Sequence, residues 1–131
     1  MPSVASIHRV LIGTTTVFEV DGELSAGDVK DVVKRYYAEL RPPHIIWDFS
    51  PGGSMLKLTK EEFKEVAAAA KKVLGSGERR VAFVGPTEVT FAILCMYTAI
   101  ATIEEVPAEY SAFRTLDEAL RWMGGVAGSS A

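Results

Sequence analysis

His44-Ile45-Ile46-Trp47-Asp48-Phe49 decides the fold class. The run is of strand length, and its lack of strict apolar/polar alternation suits a central strand covered on both faces. Val81-Ala82-Phe83-Val84 repeats the pattern. Helical stripes lie around these two runs. Ser25, with Asp28 three residues on, is an N-cap candidate ahead of Val29, Val32, Val33, Tyr36, Tyr37 and Leu40, which share one helical face. Arg41-Pro42-Pro43 stops that helix, because proline removes a donor and biases its predecessor away from the helical region. Thr59-Lys60-Glu61-Glu62 is a capping box that opens a second helix, with Phe63, Val66, Ala67, Ala70, Val73 and Leu74 as its stripe and Gly75-Ser76-Gly77 at its end.

Outward from there, Gly85-Pro86-Thr87 turns the chain into an uncharged helix over about 87–104, closed by Pro107. Residues 109–114 read as a last strand. Thr115-Leu116-Asp117-Glu118 is a further capping box, before a terminal helix that turns Leu116, Ala119, Leu120 and Met123 inward. At the other end, residues 4–11 and 14–20 are rich in Val, Ile, Thr and Phe and are split by Gly13, which predicts a hairpin. The order is ββαβαβαβα. It implies an α/β fold with a mostly parallel sheet, right-handed crossovers and the N-terminal hairpin as an antiparallel pairing at one edge. Function is then expected at the carboxyl ends of the strands, in the loops over 21–25, 48–58 and 85–88.

A chain of 131 residues has room for one domain, here 1–123, with the Gly/Ser/Ala-rich 124–131 as a flexible C-terminal tail. Hydrophobic residues at 48% and charged residues at 24% belong to a globular protein that needs no staple. A net charge of −3, with Lys and Glu interspersed, argues against a nucleic-acid partner. Cys95 is the only cysteine, so no internal disulfide forms, and the Met-Pro-Ser start lacks an export signal; a cytoplasmic location is expected. The uncharged stretch 89–103 would make about 22 Å of helix against roughly 30 Å of hydrocarbon, so a membrane-spanning segment is not expected.

Three phrases carry a family resemblance: Phe18-Glu19-Val20-Asp21-Gly22-Glu23-Leu24, Ile45-Ile46-Trp47-Asp48-Phe49-Ser50, and Ala112-Phe113-Arg114-Thr115-Leu116-Asp117-Glu118-Ala119-Leu120-Arg121-Trp122. With the element order they resemble the SpoIIAA-like branch of the STAS superfamily, related in shape to the CRAL-TRIO lipid carriers. The resemblance implies a binding or regulatory module without enzymatic activity or cofactor, possible roles being carriage of a nonpolar small molecule or, alternatively, a protein-interaction switch of the anti-sigma-factor-antagonist kind. Switching members carry a phosphoserine in an Asp-Ser-x-Gly phrase about nine positions after the strand-end aspartate. Here Lys57 stands nine positions after Asp48, and no Asp-Ser pair occurs in the chain, so the usual phosphoserine is missing.

The residues set limits of their own. Asp48 could hold a ligand hydroxyl or a partner's backbone donor, although an Asx-turn with the following loop is the simpler reading. Ser50 and Ser54 could take or bind phosphate, yet Gly52-Gly53-Ser54 does not run into a helix N-terminus, which favours a plain loop. His8 and His44 lie on different strands without liganding partners at a metal spacing. Cys95, inside an apolar helix, reads as an inert core thiol. No Gly-x-Ser-x-Gly elbow exists, and Glu104 and Glu105, adjacent on a helix end, diverge. An enzyme would need Asp48, Ser50 and Thr87 to converge around a pocket. Trp47 and Trp122 read as core anchors.

The helix over 87–104 spreads Phe91, Ile93, Leu94, Met96, Tyr97, Ile100 and Ile103 around more than one face, with no charge between Glu88 and Glu104. One side of it needs a cover beyond the sheet. A homodimer is the first expectation, a nonpolar ligand held against Met55-Leu56-Lys57-Leu58 the second, and burial under the terminal helix the third. The tentative ligand or partner site is therefore Asp48, Ser50, Ser54, Met55, Leu56, Leu58, Thr87, Phe91, Met96 and Tyr97.

Overall fold

The computed structural model describes residues 6–37, 44–50, 55–74, 79–106 and 108–127. In chain order its elements are β1 (Ser6–Ile12), β2 (Thr15–Asp21), β3 (Glu23–Ser25), α1 (Ala26–Val32), β4 (His44–Asp48), β5 (Met55–Lys57), α2 (Lys60–Leu74), β6 (Arg80–Val84), α3 (Glu88–Ile103), β7 (Glu109–Phe113) and α4 (Leu116–Ala127). α1 runs on into a π-helical turn over Val33–Tyr37. Without the two three-residue strands β3 and β5, the order is the ββαβαβαβα read from the sequence.

The main sheet has five strands in the order β1-β2-β4-β6-β7. β1 and β2 pair antiparallel from Ser6↔Asp21 to Ile12↔Thr15, and the turn between them uses Gly13 at φ 62°, a left-handed conformation that glycine adopts without a Cβ penalty. The remaining pairings are parallel. This is an α/β domain with a mixed sheet.

Alternation along the strands splits the core in two. Phe18, Val20, Ile45, Trp47, Val81 and Phe83 face α1, α2 and α3, where they meet side chains such as Val29, Phe63 and Tyr97. Val17, Ile46, Ala82 and Val84 face α4 and pack on Ala119 and Met123. Coverage on both sides explains why residues 45–47 and 81–84 are apolar at odd and even positions alike.

Helix starts follow the local chemistry. Ser25 Oγ accepts from the Asp28 backbone N–H while the Asp28 carboxylate accepts from Ser25 N–H at 3.1 Å. Thr59 and Glu62 make the same reciprocal pair ahead of α2, and Thr115 Oγ1 accepts from Glu118 N–H ahead of α4. At the end of α3, Glu105 N–H donates to the Thr102 carbonyl and Val106 N–H to the Ala101 carbonyl, a Schellman closure with Glu105 at φ 57° where glycine is usual. Gly85 seats α3 on the sheet: a Cβ there would lie 2.8 Å from Leu94 Cδ1 and 3.1 Å from the Phe91 nitrogen.

Some expectations are corrected. Residues 23–25 and 55–57, read as turn and loop, form a parallel pair, Glu23↔Met55 to Ser25↔Lys57. Three-residue strands show no periodicity; their pairing comes from β2 and β4 ending side by side at Glu19↔Asp48. Cys95 is exposed on the outer side of α3, since the sheet takes the opposite side of that helix. The terminal helix runs to Ala127, past the glycines that suggested an end at Met123. The expected helix stops at 41–43 and 75–77 lie outside the described residues. Among the described residues, no helix is long and apolar enough to cross a membrane.

Candidate functional site

Asp48 closes β4 and is 3% exposed. Its Oδ1 accepts from Ser50 N–H at 3.0 Å and from Ser50 Oγ–H at 2.5 Å, the Asx-turn geometry that holds the chain as it leaves the sheet. Strand alternation places this carboxylate on the α4 side with Ile46, while Trp47 and Phe49 join the three-helix side. Thr87 is occupied as the N-cap of α3: its Oγ1 accepts from Thr90 N–H at 3.1 Å and donates to Thr90 Oγ1 at 2.9 Å. Asp48 and Ser50 thus serve a turn and Thr87 a cap. Met55 and Leu56 take part in β5 through their backbones, and Ser54 lies outside the described residues.

Among the expected site residues whose side chains are described, Leu58 and Tyr97 converge on a compartment. A cavity of about 40 Å³ lies between the sheet and α1, α2 and α3, and its walls include Leu24, Trp47, Leu58, Phe63, Phe83 and Tyr97. The Tyr97 ring stacks on Phe63, centroids 4.2 Å apart and planes at 4°, and Phe63 meets Phe83 edge-on at 6.5 Å. Tyr97 is 2% exposed, and its hydroxyl donates to the Leu58 carbonyl at 3.0 Å, tying α3 to the segment that leads into α2. Burial, followed by the nearby Glu62 carboxylate, pushes the Tyr97 hydroxyl up to about 12. It is therefore a neutral donor at physiological pH.

The other two expected residues on α3 lie apart from this compartment. Phe91 is half-buried with the Arg114 guanidinium 5.6 Å from its ring centroid, and Met96 is 40% exposed. Phe63 and Phe83, absent from the expected site, form much of the wall. Their signal in the sequence is a surplus of rings at inward positions of α2, β4 and β6, which reads equally well as a filled core.

Among the described residues, no three His, Cys, Asp or Glu side chains come together in a group fit for a metal ion. The His44 imidazole is held below its ordinary pKa by burial and then by the Arg80 guanidinium. Comparison with protein-family models and with curated proteins finds no match to this chain.

Proposed function

We propose that this domain is a non-enzymatic, STAS-type binding module that holds a nonpolar small molecule between its sheet and the layer formed by α1, α2 and α3. The observation that supports the reading is the compartment walled by Leu58, Phe63, Phe83 and Tyr97, where the Tyr97 hydroxyl is already bonded to the Leu58 carbonyl. A site of this lining attracts carbon and offers nothing to an ion. At about 40 Å³ it has room for little more than a water, so a ligand enters only as α3 and Leu58 part. The hydrogen bond between them has a net contribution of about 1 kcal/mol, small enough to be exchanged for ligand contacts. The polar groups at the strand ends support the non-enzymatic half of the reading, because Asp48, Ser50 and Thr87 are engaged in a turn and a cap.

Native mass spectrometry of the freshly purified protein is expected to show a copurifying nonpolar molecule, and medium-chain alkanes or alkanols are expected to raise Tm. Ala67→Leu, which fills the compartment from α2, should abolish both effects while the circular dichroism spectrum stays that of the folded protein. A protein that purifies empty and shows no Tm response across such a series would refute the carrier reading.

A further inference from the structure

Val89, Ala92, Met96, Ala99 and Ile103 follow one another along α3 at intervals of three and four residues, and all five are exposed. Val89 is 72%, Met96 40% and Ile103 74% exposed, on the side opposite the buried Leu94, Tyr97 and Ala101. Among the described residues, the other large hydrophobic side chains this exposed are Val10, Leu11 and Ile12 on β1. No acidic or basic residue interrupts α3 between Glu88 and Glu104. The helix therefore has two apolar faces and one sheet to cover them.

We infer that the outer face of α3 docks on the same face of a second copy of this chain, with the two helices antiparallel across a twofold axis. The stripe alternates large and small residues, and that alternation complements itself only when one copy runs backwards. In the antiparallel pair Met96 and Ile103 of each copy lie over Ala99 and Ala92 of the other, so that large and small side chains interleave and the backbones approach closely. A parallel pair would set alanine on alanine and leave gaps. The antiparallel arrangement also opposes the helix macrodipoles favourably and desolvates no charge along the stripe. A second copy is thus the occupant whose pattern matches this face. In this register residues 92–103 of the two helices overlap, a contact about 18 Å long that buries on the order of 700 Å² in total, below the usual size of a stable specific interface. The dimer is accordingly reversible on dilution. This face points away from the apolar compartment, so the dimer stands or falls independently of the proposed ligand.

Cys95, the chain's single cysteine, is exposed near the midpoint of α3 and reports on the pairing, since an antiparallel contact brings the two thiols close to the twofold axis. Sedimentation velocity over a dilution series is expected to show monomer and dimer in exchange. Ala92→Glu and Ala99→Glu, each placing a carboxylate in the seam at an exposed and hence fold-tolerant position, should weaken association by more than about tenfold. A short bis-maleimide should join two wild-type copies through Cys95 and fail to join the Ala99→Glu variant. A wild-type chain that is monomeric at every concentration overturns the inference. So does a dimer that survives both alanine substitutions, and so does one that Leu11→Glu dissociates while Ala99→Glu does not, which would put the interface on β1.

Discussion

The two faces of the sheet are packed by different means. On the side of α1, α2 and α3 the filling is largely aromatic: Phe18 lies 4.9 Å from Trp47, and Phe63 stacks on Tyr97. On the α4 side the fully buried filling is small and aliphatic, with Val17, Ile46, Ala82 and Val84 closed over by Ala119 and Met123, and the Phe113–Trp122 ring pair lies at its margin. The about 40 Å³ cavity is on the aromatic side. Rings are rigid plates with a few preferred mutual angles, so several meeting at one point bury much area and still leave a gap. Small branched residues and a pliable methionine close on each other. The same sheet thus carries a gap within its aromatic face and, on the α4 side, a cleft open to solvent beside Thr15, His44, Leu120 and Met123.

The strongest way to break this contrast is Phe63→Ala. Phe63 is 6% exposed and touches two rings, so its loss should cost about 3–5 kcal/mol in urea unfolding if the aromatic face is load-sharing despite its void. A loss below about 1 kcal/mol would mean that the face is too loose to depend on any one ring. Alkaline titration probes the same cluster more gently. Tyr97 ionises near 10.0 in the unfolded chain and at about 12 in the folded one, so the folded state keeps a proton that the unfolded state has released. Its contribution is fully present below pH 10 and is lost as pH rises from about 10 to 12, a change of roughly 2–3 kcal/mol that Tyr97→Phe should remove from the stability profile. The smallest effects come from a matched pair of enlargements. Ala82→Val, on the closed face, should destabilise by about 1–3 kcal/mol through overpacking, whereas Ala67→Val points into the cavity and should cost less than about 1 kcal/mol. Equal costs at the two positions, measured by chemical denaturation, would erase the distinction between the faces.

What the sequence reveals depends on how local each decision is. The reciprocal Ser25–Asp28 and Thr59–Glu62 pairs lie within one turn, and the helices they open begin one residue after the serine or threonine. Gly13 marks the hairpin for the same reason. The β3–β5 pairing joins residues about thirty apart and follows from where two other strands happen to end, so nothing in Glu23-Leu24-Ser25 announces it. Cys95 reads as inward in the sequence because α3, lacking a polar stripe, gives no phase by which to tell its inner side from its outer. The site divides along similar lines. Leu58 and Tyr97 stood out as apolar residues beside a loop and on an uncharged helix, whereas Phe63 and Phe83 read as core. A void belongs to no residue; it is what several elements leave when their side chains fail to meet.

The strand order β1-β2-β4-β6-β7 also sets a timetable. Each strand of the main sheet lies next to the one before it in the chain, so none has to be inserted between two already paired. A chain emerging from a ribosome can add strands one at a time as they are made, closing one crossover before the next begins. α4 is the exception in this schedule, for among the described elements it is the helix that covers the second face, and it follows the strands of the main sheet in the chain. Until it arrives, Val17, Ile46, Ala82 and Val84 lie open to water on a sheet that is otherwise assembled.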